Sequence, residues 1–295
     1  MHEKQLPQWV ADLSLLMVTV IWGTTFVVVK NAIGEMTPMY FLALRFSLAA
    51  LVLLVIPGTV CGLKRAWRKT LLPGALLAMA YLLQTYGLIH TTASRAGFIT
   101  GLSVILVPLF VSAIDRRRPS ALVLTGASIS TIGLALMSGG GSSPLNIGDL
   151  LVMGCAVGFA LQIIVVGRRA ADLPPLSLTL GMLGTAALLF WPGALQELFY
   201  HDTRALPSTN AIMAILTTAI LATSLAFYLQ CRMQRFTTPS HTALIFSAEP
   251  VFAALFAFLL AGEILGPLGI FGGTMIVLGI VVVEALPMLL VKSKT

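Results

Sequence analysis

Charge is what this 295-residue sequence has least of: Asp, Glu, Lys and Arg make up 10% of it, against 58% hydrophobic residues. A soluble domain carries roughly a quarter charged residues, so a water-soluble globule is excluded. Cysteine is scarce as well. Cys61, Cys155 and Cys231 lie in or beside apolar runs without C-x-x-C spacing, which indicates neither a disulfide framework nor a metal site. The signatures H-E-x-x-H, G-x-S-x-G and the P-loop do not occur, so zinc-protease, nucleophile-elbow and nucleotide-driven chemistry have no carrier. Asn146-Ile147-Gly148-Asp149 falls one glycine short of the G-x-G-D of intramembrane aspartyl proteases. Neither an enzymatic activity nor a cofactor is expected.

What the chain has instead is long apolar runs. At roughly 20 residues per crossing of the hydrocarbon core, ten segments emerge, at about 11–30, 37–57, 70–90, 96–114, 119–138, 147–167, 175–193, 209–231, 240–261 and 266–286. The first follows a short polar lead and has no small-residue cleavage pattern, so it reads as a retained helix. The expected fold is an all-α integral membrane protein of ten transmembrane helices. The net charge of +7 sits in short clusters between these runs, where it sets topology and meets anionic lipid rather than nucleic acid. Lys4, Lys64, Arg65, Arg68, Lys69, Arg116 to Arg118, Arg168, Arg169, Arg232, Arg235, Lys292 and Lys294 fall on one set of loops, and only Lys30, Arg95 and Arg204 on the alternate set. Basic loops stay in the cytoplasm, so both termini are expected there.

The sequence also repeats itself. Thr91-Thr92-Ala93-Ser94-Arg95-Ala96-Gly97-Phe98-Ile99 returns as Thr237-Thr238-Pro239-Ser240-His241-Thr242-Ala243-Leu244-Ile245 at an offset of 146, which also carries Tyr81 onto Phe227, Gln84 onto Gln230, Gly126 onto Gly272 and Gly133 onto Gly279. Two halves follow, at 11–138 and 147–286. Five helices per half is an odd number, so the second copy enters the membrane from the opposite side and the halves are inverted repeats. Helices 1 and 6, carrying Asp12 and Asp149, align at 137 instead. The nine-residue difference is assigned to a polar outward loop around Gln196 to Ser208. Gly97 with Gly101, Gly154 with Gly158, and Gly269 with Gly273 form small-xxx-small packing seams. The paired glycines of helices 5 and 10 are expected to brace each half. Pro108 and Pro250 remove backbone donors inside helices 4 and 9, giving either gating kinks or static ones.

Two charged side chains lie deep in the membrane, Arg45 and Glu249, where each costs about 2.5 to 3.5 kcal/mol on insertion scales. At ~1.5 Å per residue their depths differ by about 5 Å. Either they pair to pin helix 2 to helix 9, or they contact a solute. Trp22, Phe159, Tyr81 and Phe227 are aromatic residues related by the repeat. They either line a central cavity, with Gln84, Gln162, Thr100, Ser103 and Ser247 as its polar groups, or pack as core. A cavity of that kind suits a small amphipathic solute.

Ile21-Trp22-Gly23, Ala96-Gly97-Phe98-Ile99-Thr100 with Pro108, Ala243 through Val251 and Gly262-Glu263, taken in order with the duplication, resemble the drug/metabolite transporter superfamily, specifically EamA-domain proteins. The resemblance implies an inverted five-plus-five secondary transporter of the inner membrane, mostly an exporter of amino acids, metabolites or toxic compounds. It implies a cavity lined by helices 1, 3, 4, 6, 8 and 9, including Trp22, Tyr81, Gln84, Ser103, Gln162 and Glu249. The first half departs from the pattern: Arg116-Arg117-Arg118-Pro119 stands where a mate of Gly262-Glu263 belongs. The expected partners are a small-molecule substrate and membrane lipid. The alternative is a non-transporting membrane sensor or scaffold.

Overall fold

A computed structural model describes residues 6–137, 146–200, 208–261 and 266–292. Among these residues every element is helical: α1 (Gln8–Ala32), α2 (Pro38–Leu54), α3 (Thr59–His90), α4 (Ala93–Gly101), α5 (Ser103–Asp115), α6 (Ala121–Met137), α7 (Ile147–Ala170), α8 (Pro175–Tyr200), α9 (Thr209–Thr217), a π-helical segment (Thr218–Leu225), α10 (Ala226–Met233), α11 (Pro239–Phe246), α12 (Glu249–Ala261) and α13 (Pro267–Lys292). Six helical stretches are long and apolar enough to cross a membrane, namely Gln8–Ala32, Trp67–His90, Ala96–Asp115, Ile147–Ala170, Pro175–Tyr200 and Thr209–Met233. This is the fold of a multi-pass membrane protein. Large apolar side chains such as Leu188 and Ile270 point outward, as a lipid environment allows, because hydrocarbon solvates them as well as the interior does.

Boundaries depart from the sequence reading where local chemistry extends or breaks a helix. The third helix starts at Thr59 rather than near 70, so the basic stretch Lys64 to Lys69 is helical; Gly58 precedes it at φ +85, a conformation that glycine adopts without a Cβ penalty. The expected loop at Gln196 is helix as far as Tyr200, and its remainder, like Gly262-Glu263, lies outside the described residues. The fourth and ninth segments are each interrupted, at Leu102 and at Ser247-Ala248. Pro250 explains the second interruption. It is the second residue of α12, with no N–H to offer the carbonyl four residues back, and Ser247 Oγ folds back to Leu244 O at 2.6 Å. Pro108 does not mark the first interruption; it lies inside α5.

Backbones cross closely where glycine permits. A Cβ on Gly148 would sit 2.6 Å from Gly87 O, and one on Gly158 would sit 3.0 Å from Ala80 Cβ, so the Gly154/Gly158 seam docks α7 on α3. A Cβ on Gly23 would lie 2.8 Å from Ala253 N, which is how α12 crosses α1 beside Trp22. The glycines of α6 and α13 do not brace separate halves. A Cβ on Gly133 would lie 2.5 Å from Gly272 O, and one on Gly279 would lie 2.7 Å from Gly126 O, so the two helices pack on each other.

Candidate functional site

Between α1, α2, α3, α4, α5, α7, α10, α11 and α12 lies a cavity lined by Trp22, Arg45, Tyr81, Gln84, Thr100, Ser103, Phe159, Gln162 and Glu249, all singled out by sequence, together with Thr25, Phe26, Val29, Leu88, Gly101, Ile163, Gln230 and Phe246. Its open volume is about 40 Å³, room for roughly three ordered waters.

Arg45 enters from α2 and is 2% exposed. Its Nε donates to Thr223 Oγ1 at 2.8 Å, its Nη2 lies 3.4 Å from Tyr81 OH, and the guanidinium stacks 4.8 Å from the Tyr81 ring centroid. Arg45 and Glu249 form no ion pair with each other. Of the two alternatives, the structural pin is therefore not the one adopted, and both groups line the cavity.

The π-helical segment sets this geometry. Widening the helix displaces the usual i to i−4 ladder: Thr223 Oγ1 donates to Thr218 O and Ser224 Oγ to Ala219 O, each five residues back. The Ala226 N–H donates to Leu221 and Thr223, passing over Ala222. The Ala222 carbonyl instead accepts from Trp22 Nε1 at 2.8 Å. One local irregularity thus fixes both the tryptophan and, through Thr223, the arginine. Neither Thr223 nor Ala222 stood out in the sequence, because a π segment is set by backbone pairing, not by residue type.

The aromatic residues interlock. Trp22 lies 5.4 Å from Phe227 and 5.0 Å from Phe246, and Tyr81 lies 5.3 Å from Phe159 and 6.1 Å from Phe227. Edge and tilted contacts of this length suit the ring quadrupoles. Phe227 is fully buried behind Trp22 and Tyr81, and Ser247 is 1% exposed with its hydroxyl turned to Leu244. These two expected cavity residues support the wall without lining it. Gln230 and Phe246 had a legible signal, since the offset of 146 makes them the mates of Gln84 and Thr100.

Polar ties join elements away from the cavity. His241 Nε2 lies 3.0 Å from Asp12 Oδ1, and Thr91 Oγ1 donates to Asp149 Oδ1 at 2.7 Å. The two aspartates that align between the halves therefore each meet a residue of the repeated nonapeptide. Asp149 also completes a capping box with Asn146 at the start of α7, which accounts for the near-match to the protease motif. Glu197 of α8 accepts from Met39 N, Tyr40 N and Tyr86 OH at 3.0, 3.2 and 2.7 Å, capping α2, whose own Thr37 makes no side-chain cap. Trp191 donates to Ser47 Oγ at 3.0 Å and ties α8 to α2.

The chain resembles known proteins along nearly its whole length. An uncharacterized transporter of Archaeoglobus fulgidus is 34% identical over 281 residues, covering 93% of this chain and 85% of the relative. The uncharacterized inner membrane transporter YedA of Escherichia coli K12 is 24% identical over 259 residues, covering 85% and 83%. A solved crystal structure matches with a TM-score of 0.78 at 19% identity, over 95% of this chain and 99% of that one, a likeness of fold. The EamA-like transporter family matches twice, over residues 9–139 and 146–285. With two such matches and a 34% identical relative along most of its length, the chain is a membrane transporter and belongs to the EamA-like transporter family.

Proposed function

We propose that this protein is a secondary transporter of the inner (plasma) membrane that exports a small metabolite, amino acid or amphipathic compound by alternating access through the cavity at Trp22 and Tyr81. It crosses the membrane ten times as two inverted five-helix repeats, 11–138 and 147–286, with both termini cytoplasmic. The observation that carries the reading is the cavity itself: a guanidinium and a carboxylate from different helices, not paired to each other, in an aromatic enclosure within an apolar bundle. Buried charge of that kind is expensive in a membrane and marks substrate or ion pathways. Inversion is supported by the α6 and α13 contact, where Ser130 Oγ lies 3.5 Å from the carbonyl of Ile276, its mate at the offset of 146, and by the matched placement of Asp12 and Asp149.

Alternating access then consists of rocking one set of helices against the other. Asp12 with His241 ties α1 to α11, and Asp149 with Thr91 ties α7 to the end of α3; in an inverted pair these ties close opposite mouths. Glu249 is the carboxylate inside the cavity, so any proton antiport runs through it. Flux into proteoliposomes over a panel of amino acids, amines and nucleobases tests the reading. Saturable flux that Trp22→Ala abolishes while the protein remains folded supports it, and absence of flux for every solute refutes it. A pH-dependent flux that persists unchanged in Glu249→Gln refutes the coupling role.

A further inference from the structure

A short ladder of glutamines begins at the cavity wall with Gln162 and Gln230 and runs behind it to Gln234, and its orientation can be deduced from that far end. Gln234, 2% exposed, donates through Nε2 to the Ile163 carbonyl at 3.0 Å. A backbone carbonyl accepts only, so Gln234 must turn its own Oε1 the other way. That oxygen accepts from Gln230 Nε2 at 3.2 Å, and the same Gln230 nitrogen donates to Gln162 Oε1 at 3.1 Å. Both N–H groups of Gln230 are then used. Its Oε1, on a side chain with 0% exposure, has no hydrogen-bond partner.

A buried acceptor without a donor costs about 1–3 kcal/mol, so buried polar atoms are satisfied as a rule and an exception calls for a reason. Gln230 lines the cavity, and with Nε2 committed, Oε1 is the polar atom it has left to offer there. Gln162 is beside it. The Gln162 amide has two N–H groups, of which one makes a weak donation to Met182 Sδ at 3.3 Å, which leaves one donor in hand. Gln230 thus keeps an acceptor and Gln162 a donor on two side chains that are hydrogen-bonded to each other and that line the same cavity as Trp22, Tyr81 and Phe159.

We infer that Gln230 and Gln162 form a hydrogen-bonding subsite for a planar solute that presents an N–H beside a C=O, the cis-amide edge of pyrimidine bases and lactams. The inference rests on the transport reading and specifies its substrate class. Amide side chains read the edges of planar bases through paired donor and acceptor contacts, and aromatic faces hold the ring by stacking without regard to its substituents. A site that commits a buried acceptor rejects an analogue lacking the donor far more strongly than one differing by a methylene. Gln234 is a positioning residue: it touches no solute, and it fixes which atom Gln230 presents.

Uracil is the probe, and dimethyluracil methylated on both ring nitrogens is the control, since it keeps the ring and both carbonyls but has no N–H. Equilibrium binding and proteoliposome flux are measured for both, alongside the panel of amino acids, amines and nucleobases. Wild-type protein should bind uracil at least about tenfold more tightly than the dimethyl analogue. That gap should close in Gln230→Leu and narrow in Gln234→Leu, where Gln230 is present but free to turn. Equal affinity for the two probes in wild type overturns the subsite even where a variant fails to fold, and identifies the Gln230 oxygen as a water site. Transport of other solutes with uracil neither bound nor moved overturns the subsite and leaves the transport reading standing. Failure to move any solute overturns both.

Discussion

Arg45 shows how a single residue is made tolerable in an apolar bundle. Its charge is not cancelled by a carboxylate; it is spread over a hydroxyl, a phenol and two ring faces, contacts that replace part of the lost hydration. Thr223 is the shortest of these. Thr223→Val keeps the shape and removes the acceptor, stranding a buried cationic donor, so stability should fall by about 1–3 kcal/mol. Thermal unfolding of the purified variant in detergent reads this, and an unchanged midpoint would show that the cavity solvates the guanidinium unaided. Arg45→Met should be milder for stability, since removing the charge also removes its desolvation cost, while solute affinity should drop. The residue type at position 45 was informative in the sequence because charge is rare in this chain. Its partner was not, because a threonine in an apolar helix usually bonds its own backbone, as Thr179 and Thr185 do here.

At the scale of elements, interruptions are what place functional groups. The breaks between α4 and α5 and between α11 and α12 bring Thr100, Ser103 and Glu249 to the cavity wall, and the π segment aims one carbonyl at Trp22. A π segment holds one residue more than the α-helix would need over the same span. Deleting Ile220, which is 41% exposed, should restore α pairing and break the Trp22 and Arg45 contacts together. The expected outcome is a folded, helical protein that has lost solute binding, checked by circular dichroism and by binding on the same sample. Retained affinity would mean that the segment only fills space. Glycine crossings give the complementary prediction. Gly133→Leu forces a side chain against the Gly272 carbonyl and should destabilise by about 1–3 kcal/mol through overpacking. The same change at Gly184, where nothing lies within 4 Å of an added Cβ, should be neutral in the same thermal assay.

For the whole molecule, repetition and its violations are both meaningful. The aspartates of α1 and α7 and the nonapeptides that answer them are repeated, while Arg45 and Glu249 have no charged mates. On this reading the scaffold moves symmetrically and the solute is bound asymmetrically. The topology predicts that, in a background without native cysteines, Glu35→Cys is labelled in intact cells by a membrane-impermeant thiol reagent and Lys64→Cys is labelled only after permeabilisation. The reverse pattern would invert the protein and with it the assignment of mouths.

Composition and periodicity alone determined that the chain is helical and lipid-embedded and roughly where most of its helices run, though not the early start of the third at Thr59, and they exposed the repeat at an offset of 146. These follow from local rules: about 20 apolar residues cross a bilayer, and an offset can be read directly. Nine of the eleven cavity residues expected from sequence do line the cavity, because rare polar and aromatic groups in an apolar chain have few other places to go. Tertiary structure alone decided which of those groups touch. It separated Arg45 from Glu249, put Phe227 and Ser247 behind the wall, and paired α6 with α13. It also oriented Gln230 through a relay from the Ile163 carbonyl. Each of these depends on rotation about a helix axis and on backbone pairing across distant segments, and sequence spacing contains neither.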